Sequence, residues 1–192
     1  MPKPSWMKAA LAALLLAVTL VPSAAAYRLQ GVRWPTTTIT YYNEVPPYNW
    51  SVDTAAYAWN ASGARVKFLK TARRDAKVII GIRWYKPAGH ALVYRSNGRI
   101  SAVRVGVRSG QDRYTMALVL AHELGHALGL AHEDRACAAM NTYLDGNHPE
   151  RCPAAPDGTW VCRLLRADDV RGAIALYGGS VRPFRGPEFC PR

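Results

Sequence analysis

Acidic residues are scarce in this chain. Its 192 residues carry 25 Lys and Arg against 13 Asp and Glu, a formal net charge of +12, and no acid lies between Trp84 and Gly110. So basic a protein is drawn to acidic surfaces and acidic substrates. The cations are nevertheless scattered through predicted strands and loops, with no basic helix and no aromatic-interleaved repeat, so specific nucleic-acid recognition is not expected.

Cysteine is absent from the first 136 residues, and Cys137, Cys152, Cys162 and Cys190 follow. No Cys-x-x-Cys pair occurs among them, which argues against a thiolate zinc site. The even set predicts two disulfides stapling the C-terminal third, with three connectivities open. Long apolar runs are also missing, apart from one at 9–21 preceded by Lys3 and Lys8 and followed by the small residues Ala24, Ala25 and Ala26. That run is short for a bilayer span and suits the core of a secretory leader. The expectation is cleavage after Ala26, a secreted protein without stable membrane insertion, and one domain over 27–192; retention of the segment as an anchor is the alternative. A domain of that length buries roughly two-thirds of its unfolded surface.

What is present is concentrated at 122–132, which reads His-Glu-Leu-Gly-His-Ala-Leu-Gly-Leu-Ala-His. On a helix, His122 and His126 project from one face one turn apart and can chelate a single metal. Glu123 lies beside that pair, angled off the ligand axis, where a carboxylate can deprotonate a bound water without displacing it. Gly129 has no Cβ and can take the left-handed conformation that stops the helix and turns the chain back, bringing His132 to the metal. Three protein ligands leave a tetrahedral zinc one open position, the stoichiometry of a catalytic rather than a structural site.

This run resembles the extended zinc signature of the metzincin metallopeptidases, and two further features resemble their matrixin branch. Met140 falls eight residues after His132, where the family's methionine-containing turn forms a hydrophobic floor beneath the metal. Residues 165–178 resemble the family's C-terminal helix, with Asp168 and Asp169 in the first turn and Leu176-Tyr177-Gly178 at the end. Val170, Ile174 and Tyr177 also recur at helical spacing, and Gly178 supplies the stop. The resemblance implies an α+β fold: a twisted mixed sheet with an antiparallel edge strand, an active-site helix and a C-terminal helix. It further implies one catalytic zinc ion held by His122, His126 and His132, with Glu123 as general base, in a monomer acting on peptide or protein substrates.

The chain departs from animal matrixins in two ways. The region 84–110 holds His90 as its one histidine and no acid, so ligands for the family's structural zinc and calcium are not visible there. The similarity to a catalytic domain also begins almost at Tyr27, so a propeptide with an inhibitory cysteine is not expected. Tyr143, three residues after Met140, does not occupy the position of the transition-state tyrosine of astacin-like enzymes, and no catalytic role is assigned to it.

Along the domain, the β-branched and aromatic run 37–42 predicts a strand closed by Pro46-Pro47. A helix follows, with Ser51 as its N-cap, Asp53 in its first turn and Gly63 beyond its end. Residues 66–69 and 78–82 predict two more strands, the second apolar enough to be covered on both faces. Residues 87–98 form a loop-rich segment in which His90, Ala91 and Leu92 belong to the edge strand that the resemblance places above a substrate cleft. Residues 100–107 alternate as a strand, and a buried helix from 113 or 114 to 128 carries the metal motif. The function expected is secreted zinc-dependent endopeptidase. Its rivals are a basic module with a non-catalytic zinc site that binds cell-wall polymers or other polyanions, and a zinc amidase acting on non-protein amides.

Overall fold

The computed structural model describes residues 26–84, 87–143 and 164–182. The predicted leader and Cys152, Cys162 and Cys190 lie outside the described residues. Cys137 is disulfide-bonded. No helix among the described residues is long and apolar enough to cross a membrane.

Among the described residues, seven strands and three α-helices are laid down in the order β1 (Arg28–Leu29), β2 (Thr38–Asn43), α1 (Asn49–Ala61), β3 (Lys67–Lys70), β4 (Val78–Ile82), β5 (Gly89–Ser96), β6 (Arg99–Val107), α2 (Arg113–Leu128), β7 (Leu130–Ala131) and α3 (Ala167–Tyr177). Five strands form one sheet in the order β3-β2-β4-β6-β5. The first four run parallel to one another, and β5 closes the sheet as an antiparallel edge. The α+β fold with an antiparallel edge strand is as expected. β4 reads Val-Ile-Ile-Gly-Ile and is buried over its first four residues, because a central strand meets apolar neighbours on both faces.

β5 and β6 are joined at Asn97-Gly98, both with positive φ (49° and 70°). That pair makes the tight turn a two-residue hairpin loop demands. The loop-rich segment of the sequence reading is therefore mostly strand. Its alternation is visible in retrospect: Ala91 and Val93 pack toward the core, while His90, Leu92 and Tyr94 face outward.

One face of the sheet packs against α1 and α2, with Ile39, Tyr41, Phe68, Ile80, Val103 and Val105 meeting Val52, Trp59, Leu120 and Leu124. Two tryptophans fasten α2 from outside the helix. Trp59 donates to the Ala121 carbonyl (2.9 Å) and Trp34 to that of Ala127 (2.6 Å). The predicted N-cap of α1 is corrected: the helix begins at Asn49 and Ser51 lies buried inside it. The Ser51 hydroxyl donates to the Arg113 carbonyl (2.7 Å), so it ties α1 to the start of α2 instead of capping its own helix. Asp53, likewise beyond the first turn, accepts from the Tyr41 hydroxyl (2.9 Å) and from Lys70 Nζ (3.1 Å).

Candidate metal centre and catalytic site

α2 is a sixteen-residue helix with a definite start and a definite stop. Asp112 caps it, accepting from Tyr114 N (2.8 Å) and Thr115 N (3.1 Å), and these bonds with the Thr115 hydroxyl hold its carboxyl below the usual range. Gly129 ends it in the left-handed region, at φ 103°. A Cβ there would run into the Val32 carbonyl oxygen, so the position excludes side chains on both conformation and space. The chain then turns back as β7, which pairs antiparallel with β1, Leu29 opposite Leu130 and Arg28 opposite Ala131.

That return delivers His132. Its Nε2 lies 3.2 Å from His122 Nε2 and 3.1 Å from His126 Nε2, and ligand atoms of all three rings lie within 4.8 Å of one another. The edge of a tetrahedron with zinc–nitrogen bonds of 2.0–2.1 Å is about 3.3 Å, so the spacing fits one four-coordinate zinc. Proton positions agree. His122 Nδ1 lies 2.6 Å from the Ala139 carbonyl and His126 Nδ1 lies 2.8 Å from the Leu130 carbonyl. A carbonyl only accepts, so each Nδ1 carries the proton and each Nε2 offers its lone pair. Burial, together with the neighbouring histidines, lowers His122 to about 3 and His126 to about 4, so at neutral pH both rings are already in the ligating form.

Glu123, one residue on from His122, is 4% exposed, and its Oε2 has no hydrogen-bond partner among the described residues. Burial alone pushes its carboxyl up to about 8. A divalent cation held by the three histidines would pull it back down.

The floor of the site is more elaborate than the sequence suggested. Met140 is buried against Gly125, where a Cβ would collide with Met140 Sδ and crowd Trp59. The middle of the His-Glu-x-x-His motif thus needs a residue without a side chain. The turn is hung on α3: Asp169 accepts from Ala139 N (2.9 Å), Met140 N (3.1 Å) and Arg166 N (2.7 Å). Asn141 braces the other side, accepting from Ala138 N (3.0 Å) and donating to the carbonyls of Glu133 and Ala136. Since Ala139 also accepts from His122, Asp169 positions that imidazole through one intervening peptide. Asp169 and Asn141 were not singled out as site residues from sequence; their spacing carries no periodic signal, because their work is done by backbone contacts.

His90, Ala91 and Leu92 lie on β5, which among the described residues pairs with β6 alone. His90 and Leu92 are exposed, Ala91 packs on the core, and His90 is close enough to His126 to lower its pKa.

The matrixin family model matches residues 48–178. The chain belongs to the matrixin family. Human (Homo sapiens) matrix metalloproteinase-27 is 35% identical over 66 residues, which are 34% of this chain and 11% of that relative. Matrixins are zinc-dependent endopeptidases. In this matrixin His122, Glu123, His126, His132 and Met140 all lie inside the matched region.

Proposed function

We propose that this matrixin is a secreted zinc-dependent endopeptidase with Glu123 as its general base. The observation that carries the reading is the convergence of three imidazoles, with His132 Nε2 3.2 Å from His122 Nε2 and 3.1 Å from His126 Nε2, beside a buried carboxylate that stands outside the triad. His122, His126 and His132 would hold one zinc ion, and when bound it supplies Lewis acidity to a water and to a carbonyl oxygen. Glu123 then accepts the proton of the attacking water and returns it to the leaving amine, a transfer worth about 10²- to 10⁴-fold in rate. β5, the antiparallel edge of the sheet, offers its outer side to an extended peptide, which can add as a further strand. The basic surface favours acidic substrates.

A buried carboxylate beside the triad but outside its ligand group supports hydrolysis over the polyanion-binding module, because a purely structural site has no use for a base. Glu123→Gln tests the assignment. The variant is expected to keep about one zinc per chain and an unchanged unfolding temperature while cleavage of a quenched fluorescent peptide falls at least about 10²-fold. Near wild-type cleavage at full zinc content would remove Glu123 from the mechanism. Failure of wild type to cleave any member of a broad peptide library would favour the binding module or the amidase. Export rests on the N-terminal pattern, and N-terminal sequencing of secreted material should begin at Tyr27.

A further inference from the structure

Glu123 Oε2 has no hydrogen bond among the described residues to aim it, and Gly89, the first residue of β5, has no side chain where its neighbours would leave little room for one. A Cβ placed on Gly89 would lie 2.5 Å from Glu123 Oε1, 2.7 Å from Val119 Cγ1 and 2.8 Å from Glu123 Cγ. All three separations are below any ordinary carbon contact. Gly89 is not in the left-handed region, so no backbone conformation demands glycine there. The demand is for space, and two of the three nearest atoms belong to Glu123.

The strand cannot retreat to relieve such a contact. Gly89 pairs with Val107, and the preceding carbonyl, that of Ala88, accepts from Arg108 N (2.9 Å) and Gln111 Nε2 (3.4 Å). Nor can the helix, since Val119 and Glu123 are successive residues on one face of α2, fastened by Trp59 just inward of them. We propose that Gly89 is a positioning residue for Glu123: the bare backbone at the head of the edge strand forms, with Val119, the wall that confines the carboxylate to one orientation. The strand offered to substrate therefore also aims the base, and the two halves of the cleft are registered by contact at one Cα.

The proposal rests on the peptidase reading for its catalytic consequence but not for its structural one, so the test has two arms on the zinc-loaded protein. In the first, Gly89→Ala should retain about one zinc per chain while kcat falls at least about tenfold and KM stays within about twofold, the pattern of a group lost from the transition state. In the second, unfolding temperatures are compared for wild type, Gly89→Ala, Glu123→Ala and the double variant. Gly89→Ala should lower Tm by roughly 4–8 °C in the wild-type background. In the Glu123→Ala background the loss should be markedly smaller, because two of the three crowded atoms are gone. If Gly89→Ala alone does not fold, folding of the double variant is the same rescue. Equal losses in both backgrounds, or unchanged kcat at full zinc content, would overturn the assignment. A wild type with no peptidase activity would sink the peptidase reading and leave the Tm comparison to decide the role of Gly89.

Discussion

At the scale of single residues, the centre depends on hydrogen bonds that set ring orientation before any metal arrives. Asp169 anchors three backbone N–H groups, two of them in the methionine turn whose Ala139 carbonyl fixes His122. Asp169→Asn presents an N–H where an acceptor is needed, and it is expected to cost about 2–3 kcal/mol, read from the urea midpoint. Zinc affinity should fall by about 10- to 100-fold, the usual effect of losing a group that orients a ligand. The pH dependence has a defined sign. Burial lifts Asp169 to about 6 from an ordinary 3.8, so between about pH 4 and 6 the folded chain holds a proton that the unfolded chain has released. Its contribution is complete below that window and is lost as pH rises through it. With chelator present, the stability advantage of wild type over the Asn variant should therefore shrink from pH 4 to pH 7. The three histidines and Glu123 stood out in the sequence because they sit in one short segment with a helical period. The sequence did not reveal Asp169 as a support, since a carboxylate in a helix's first turn looks the same whether it caps that helix or holds another loop.

At the scale of elements, both ends of α2 act as devices. Its start is capped by Asp112, and its end is fixed by a glycine that conformation and a neighbouring carbonyl both require. Gly129→Ala is expected to destabilise the fold by at least about 2 kcal/mol, combining left-handed strain with the collision at Val32. It should also displace β7 and with it His132. Loss of bound zinc at a concentration that saturates wild type, measured by metal analysis after gel filtration, checks the second effect. β4 and α2 were legible almost to the residue, one from its apolar run and the other from its periodicity. The start of α1 was not: Ser51 has the chemistry of a cap, but tertiary packing recruited its hydroxyl to the Arg113 carbonyl. β5 was read as half loop because its outward face carries Leu92 and Tyr94, which blur the polar and apolar alternation that marks a half-buried strand.

At the scale of the whole molecule, charge and covalent staples govern behaviour. Arg95, Arg99 and Arg104 are exposed on the β5–β6 hairpin, within a segment that contains no acid. Peptides with acidic flanks should be cleaved with a kcat/KM that falls as salt is raised, while neutral peptides of the same core sequence should change little. Titration of free thiols in denatured secreted protein should find essentially none, Cys137 already being bonded, because an even cysteine set in an exported chain is oxidised. Two or more thiols per chain would contradict two disulfides. The general architecture was recoverable from the motif and its family, whereas the pairing of β1 with β7 was not, since two-residue strands leave no pattern to read.

That pairing has a kinetic consequence. Gln30 donates through Nε2 to the Leu130 carbonyl (2.8 Å), a partner 100 positions away along the chain, and the same carbonyl orients His126. Contacts between distant stretches form late, because loop-closure entropy must be met before they return any stabilisation. His122 and His126 become neighbours as soon as α2 winds, on a timescale of microseconds or less. The third ligand is secured only when residues near Gln30 close over β7. A nascent chain is therefore expected to pair His122 with His126 before His132 is held, so metal uptake that needs all three histidines would report a late step of folding.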